Sequence, residues 1–160
     1  MSETKPGIEQ FLYAADKDQK PFLEYLHVFL LDNGCKMTFE EKKTGLLGSY
    51  KHSKTKRTII NLLLRKQGLL VRIYGENISG YHDFLQTLPE KMVLSIEKAG
   101  VCKRLTANTC SPKCTGYDFT IGNERYQKCR YNCFEFLVTT ESMPYIKTFV
   151  ENETKARVAA

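Results

Sequence analysis

Five of the six cysteines in this 160-residue chain fall between residues 102 and 133. Cys110 and Cys114 are spaced C-x3-C around Ser-Pro-Lys, and Cys129 and Cys133 repeat that spacing around Arg-Tyr-Asn. Cys102 precedes both pairs. Four thiolates supplied by two turns of chain can close a tetrahedron around Zn2+ at ~2.3 Å each. Lys103, Arg104, Lys113, Lys128 and Arg130 lie beside them in sequence. Their charge would lower the thiol pKa values and offset the negative charge of a four-cysteine centre. Three readings of the block stand side by side. One is a structural zinc site. Another is reduced cysteines packed as small apolar residues. The third is disulfide or redox chemistry, which a reducing cytosol disfavours. Five thiols exceed four places, so the zinc reading takes Cys102, Cys110, Cys114 and Cys129. Cys133 is the alternate, because it opens the apolar run FEFLV and suits strand packing. Cys35 stands apart and reads as structural.

A catalytic zinc would need an open position and His or carboxylate ligands. His27, His52 and His82 all lie outside the cysteine block. The chain has no Walker loop, no Gly-rich dinucleotide turn and no Gly-x-Ser-x-Gly. No nucleophile signature surrounds any cysteine. Non-catalytic binding is therefore the expectation.

The second chemical signal is cationic. KHSKTKR (51–57) packs four full positive charges and a histidine into seven residues. Lys51, Lys54, Lys56 and Arg57 suit phosphate contact, with Arg65 and Lys66 at the opposite end of the following strand. Tyr50, Tyr74, Tyr117, Tyr126 and Tyr131 interleave with these charges, the mixture that single-stranded nucleic acid uses. The alternative is a solvated loop that keeps strand edges apart. Nothing matches an RNP, KH or helix-turn-helix pattern.

A third signal follows from strand register. Residues 57–74 read as a β-hairpin in which Leu64 pairs Leu69, Leu62 pairs Val71 and Ile60 pairs Ile73. The other face then carries Asn61 opposite Arg72, among Ile59, Leu63, Leu70 and Tyr74. An arginine on an apolar face needs an anionic partner. That partner is either Glu135 or Glu40 of this chain, or an anionic small molecule held in a cleft by Asn61, Arg72 and Tyr74.

The elements that must position these groups are legible in outline. Phe22, Tyr25, Leu26, Phe29 and Leu30 recur at helical spacing over 19–33, with Pro21 in the first turn and Gly34 as a stop. A shorter helix spans Ile8 to Ala15. One or two strands lie in 35–51. Two helices follow in 79–99, the first capped by Ser79 and the second by a Thr87/Glu90 capping box. YDFTI (117–121), RYQKC (125–129) and FEFLV (134–138) read as a second meander, and Ser142 caps a final helix. The fold class expected is α+β, an antiparallel sheet with helices on one face. Two loosely repeated meander-plus-helix halves, about 35–100 and 101–155, lie within a domain of residues 18–160. Residues 1–17 form an N-terminal segment with a short helix.

Composition agrees with such a domain. The apolar fraction is 42% and the charged fraction 26%, which excludes collagen-like, coiled-coil and wholly disordered chains. No apolar run reaches the ~18 residues of a membrane span, and the start lacks the apolar core of a signal peptide. A cytoplasmic location and no membrane partner are expected. The net charge of +6 is unevenly spread: residues 36–72 hold ten Lys/Arg and two Glu, and residues 101–130 hold six basic and two acidic residues. Anionic partners, a small molecule or nucleic acid, fit that distribution.

RKQGLLVRIYG, Tyr81 followed by Leu88-Pro89, CKRL at 102–105 and YQKCRYNCFEF at 126–136 resemble a group of small bacterial proteins of unassigned function. The Tyr…Leu-Pro helix followed by a meander also resembles, in architecture, the YdhG-like α+β domains, some of which are labelled iron chaperones. That family does not require the cysteine cluster. An iron-chaperone role implies acidic surface carboxylates, and the basic charge of this chain argues against it. The resemblance implies an α+β fold and carries over no site residues.

Overall fold

Period-two alternation and β-branched residues set the centre of the molecule, a sheet whose middle strand is buried on both faces from Ile59 to Leu63. The computed structural model describes residues 7–102, 105, 116–130 and 133–159, with Ser79 described for its backbone only. Helices α1 (Ile8–Ala14) and α2 (Gln19–Asp32) come first, followed by strands β1 (Cys35–Lys42), β2 (Gly45–His52), β3 (Thr58–Arg65) and β4 (Gly68–Ile73). A 3-10 turn (Ile78–Tyr81) runs into α3 (His82–Leu85), and α4 (Glu90–Lys98) follows. Then come β5 (Tyr117–Ile121), β6 (Glu124–Lys128), β7 (Glu135–Leu137) and α5 (Met143–Ala159).

The β3–β4 hairpin has the register read from the sequence: Ile60 faces Ile73, Asn61 faces Arg72, and Leu62 faces Val71. Helix α2 ends where expected, with Gly34 in the left-handed region at φ 87°. Its Phe22, Leu23, Leu26 and Leu30 are buried. Helix α1 belongs to the same core, since Ile8 and Phe11 are buried in it.

The second half differs from the expected meander. The large sheet is five-stranded and antiparallel, in the order β1-β2-β3-β4-β7, and β5 and β6 form a separate two-stranded sheet. The strand at 134–138 thus leaves its sequence neighbour and joins β4, pairing Val71 with Phe136 and Arg72 with Glu135. The reason is burial. Phe134, Phe136 and Val138 alternate to one side and are buried in the core. Burying a side chain of this size gains about 1.5–3 kcal/mol, and beside β4 they reach a core already built. The two sheets do not reproduce each other, so independent repeated halves are not seen. Aromatic rings join the sheets: Phe134 lies 5.3 Å from Tyr117, 5.4 Å from Phe119 and 4.9 Å from Phe149.

Capping also differs. Pro89, not Thr87, is the N-cap of α4, and the Thr87 hydroxyl donates to the Phe84 carbonyl at 2.6 Å. Asn77 precedes the first of the two short helices, which begins at Ile78 rather than after Ser79. Among the described residues, no helix is long and apolar enough to cross a membrane.

Candidate anion-binding site

Ile146, Phe149, Val150, Glu153, Thr154 and Arg157 are the buried residues of α5, and their spacing follows one helical face. The core-facing stripe therefore ends in a carboxylate and a guanidinium. Glu153 is 0% exposed and Arg157 3%. Buried charges persist only when paired and hydrogen-bonded. Glu153 accepts from Arg157 Nε at 2.7 Å, the Tyr81 hydroxyl at 2.6 Å, the Asn77 backbone N–H at 3.0 Å and Asn77 Nδ2 at 2.8 Å. Arg157 Nη2 donates to the carbonyls of Thr58 at 3.2 Å and Tyr74 at 3.0 Å, at adjoining ends of β3 and β4. Four elements are thereby tied together, and the guanidinium is fixed in place.

Glu76, just beyond β4, is the second carboxylate. Its oxygens lie 3.2 Å from Arg57 Nη1, 3.1 Å from Arg130 Nη2 and 3.7 Å from Arg157 Nη2. Arg57 sits at the end of the β2–β3 connection. That turn is closed by Lys56 N–H donating to the His52 carbonyl at 2.8 Å and His52 N–H donating to the Arg57 carbonyl at 3.0 Å. Arg130 leaves β6 and stacks over the Tyr74 ring at 5.5 Å.

Tyr117 enters from the small sheet. Its ring stacks on Phe134, and it is 4% exposed. Burial pushes its phenol pKa up, against the pull of Arg130. The chain arrives at Tyr117 through Gly116, where a Cβ would run into the sulfur of Cys102, so only glycine permits this approach.

Arg57, Arg130, Arg157, Glu76 and Tyr117 line one cavity of about 380 Å3, completed by Thr55, Asn77, Ile78 and Gly116. This lies within the ~300–1,000 Å3 of small-molecule sites. Three guanidiniums meet two carboxylates, leaving one positive charge in excess. The Tyr117 hydroxyl and Arg157 Nη1 are buried and, among the described residues, have no hydrogen-bond partner. An unsatisfied buried donor costs about 1–3 kcal/mol, more when charged, and both of these belong to residues that line the cavity. Guanidinium and phenol donors of this kind suit anionic oxygens.

No family model, no curated protein and no solved structure matches the chain. The site therefore has to be read from its own chemistry.

The sequence-derived candidates are distributed as follows. Arg72 has the internal partner of the two considered: its Nε and Nη2 donate to Glu135 Oε1 at 3.1 and 2.8 Å. Asn61 donates to the Tyr74 hydroxyl at 3.1 Å and accepts from Ser49 at 2.9 Å. Asn61, Arg72 and Tyr74 are thus engaged within the sheet, and none of them lines the cavity. Arg65 also reaches Glu135, at 3.7 Å, while Lys66 lies in the β3–β4 turn. Arg57 is the one cation of the 51–57 cluster that lines the site, with Thr55 beside it; Lys51, Lys54 and Lys56 do not line it. Tyr50, Tyr74, Tyr117 and Tyr126 are buried and offer no stacking surface, and Tyr131 lies outside the described residues.

Of the proposed zinc ligands, Cys110 and Cys114 lie outside the described residues. Cys102 and the alternate Cys133 are buried, and Cys129 is half-buried. Among the described residues no three His, Cys, Asp or Glu side chains gather to hold a metal. Burial raises the Cys133 thiol pKa well above its ordinary value, which favours the packed thiol over a thiolate. Sequence reasoning missed Glu76, Tyr117, Arg130, Glu153 and Arg157 as a site. One signal was available: Glu153 and Arg157 continue the apolar stripe of α5 at an i,i+4 interval.

Proposed function

We propose that this protein is a non-catalytic binder of an anionic small molecule, held in the cavity framed by Arg57, Arg130, Arg157 and Tyr117. The observation that carries the reading is a pair of buried donors on cavity-lining residues, Arg157 Nη1 and the Tyr117 hydroxyl, without an acceptor among the described residues. The reading moves the cleft from Asn61, Arg72 and Tyr74 to the cavity just beyond the Ile73 end of β4. The test is thermal unfolding with phosphate, sulfate, succinate or acetate at matched ionic strength. Multivalent anions also stabilise proteins by exclusion from the surface, so the informative quantity is the difference between wild type and Arg57→Ala. At least one anion should raise the wild-type Tm more than that of the variant. Equal responses to every anion would sink the reading.

A structural zinc on Cys102, Cys110, Cys114 and Cys129 is the companion proposal. It is supported by the backbone bonds Cys102 N–H to Gln127 O and Cys129 N–H to Gly100 O, both 2.8 Å, which tie two ligand-bearing segments together. Metal analysis of protein purified without chelator checks it. About one zinc per chain is expected; no metal together with six freely titrating thiols would remove it.

Nucleic-acid binding is the second reading. It is favoured by Lys36 facing Lys51 across β1–β2, like charges that would otherwise repel. With His52 and Lys56 they line a separate cavity of about 300 Å3. Oligonucleotide retention that falls steeply with salt and disappears in a Lys51/Lys54/Lys56 triple alanine variant would support this reading over the first.

A further inference from the structure

We infer that the group taken by this cavity is a phosphoryl group, and that it binds by displacing Glu76 from the three arginines. The inference rests on the anion-binding reading and specifies the ligand class.

The first argument is charge. Glu76 places one carboxylate within reach of Arg57, Arg130 and Arg157. Being tethered, it competes at an effective concentration of at least the ~mM range. A free monocarboxylate brings the same charge and the same donor preference and has no advantage over it. Once Glu76 turns out, three guanidiniums remain against Glu153, an excess of two positive charges. A phosphomonoester carries about −1.5 to −2 at neutral pH and matches that excess.

The second argument is the direction of the donors. Arg57 comes from the β2–β3 connection, Tyr117 from β5, Arg130 from beyond β6 and Arg157 from α5. A carboxylate presents its lone pairs in one plane. Three phosphoryl oxygens present acceptors around a tetrahedron and can serve donors from four separate segments. Planar guanidinium forks are suited to such oxygens.

The third argument is freedom to move. Glu76 is 18% exposed in its side chain, and its partner Arg57 is 63% exposed, so the carboxylate has water to turn into. Glu153 has no such exit and stays with Arg157. The remaining volume, walled by Thr55, Ile78 and Gly116, exceeds what a phosphoryl group alone fills, which leaves room for the organic part of the ligand.

The experiment is calorimetric titration of the intact protein with inorganic phosphate and with acetate. It uses wild type, Tyr117→Phe, Glu76→Gln and Arg57→Ala, each also unfolded in urea. Phosphate should bind wild type at least about tenfold more tightly than acetate. Tyr117→Phe should weaken phosphate by about tenfold, the loss of one hydrogen bond to a charged acceptor. It should leave urea stability unchanged or raised, because that hydroxyl has no partner among the described residues. Glu76→Gln should bind phosphate about tenfold more tightly. Acetate binding as well as phosphate, with both weakened by Arg57→Ala, would overturn the phosphoryl assignment and leave the anion reading standing. If neither anion binds wild type or Glu76→Gln, both readings fall. Weaker phosphate binding by Glu76→Gln would overturn displacement. If Glu76→Gln does not fold, wild type and Tyr117→Phe decide the phosphoryl assignment.

Discussion

Glu153 carries more of the site than any arginine does, because it alone holds Arg157, Tyr81 and Asn77 at once. Its removal leaves a guanidinium buried without its close counter-ion, an arrangement that costs about 3–5 kcal/mol. Glu153→Ala should therefore lower unfolding stability by about that amount in urea, and a loss below about 1 kcal/mol would show that the network is not structural. His27 supplies a pH dependence of known sign. Its Nδ1 lies 2.7 Å from the Tyr50 hydroxyl, and burial lowers its pKa, opposed by Glu9. The neutral ring is the form the fold prefers. In the unfolded chain the ring takes up a proton near its ordinary value of 6.5, above the value in the fold. Stability is thus complete above that pH and falls as the pH drops through the window below it. His27→Asn should flatten this acid slope in urea midpoints measured between neutral and mildly acidic pH; an unchanged slope would assign it to other groups.

Among the elements, the β3–β4 hairpin was legible residue by residue, because the short polar turn from Arg65 to Gly68 fixes the register that pairs Leu64 with Leu69, Leu62 with Val71 and Ile60 with Ile73. Helix α2 was legible because its stripe is long and periodic. The partner of β7 was not. FEFLV has the same apolar alternation whether it lies beside β6 or β4, and the choice depends on where a core already exists. The capping box at Thr87 failed because its hydroxyl turned back to the Phe84 carbonyl, a local bond that competes with capping. Two glycines separate backbone need from mere absence of a side chain. Gly45 has φ 135°, and a Cβ there would overlap the Leu64 carbonyl. Gly80 has open space around its missing Cβ. Gly45→Ala should cost about 1–3 kcal/mol or more, whereas Gly80→Ala should be neutral or stabilise by up to about 1 kcal/mol. Parallel thermal scans of the two variants check the contrast, and equal losses would refute it.

On the scale of the whole molecule, the basic excess noticed in composition resolves into ion pairs, Arg72 and Arg65 with Glu135 and Arg57 and Arg130 with Glu76, and a three-arginine cavity. Apart from the i,i+4 interval of Glu153 and Arg157, no sequence spacing announces that cavity. Arg157 reaches the Thr58 carbonyl across 99 positions, and Arg130 reaches Glu76 across 54. Such a site is a property of topology. The wandering of β7 bears on the order of events as well. Strands β1 to β4 are joined by short turns and pair locally, while the Arg72–Glu135 contact spans 63 positions and must pay a larger closure entropy. Local pairing therefore comes early, and β7, α5 and with them Arg130 and Arg157 dock late. Only then does the arginine cavity exist. A ligand that grips it stabilises the native state and not the transition state before it. Bound phosphate should slow unfolding in stopped-flow denaturant jumps and leave the refolding rate as it was, so occupancy would act as a latch on a protein that has already folded.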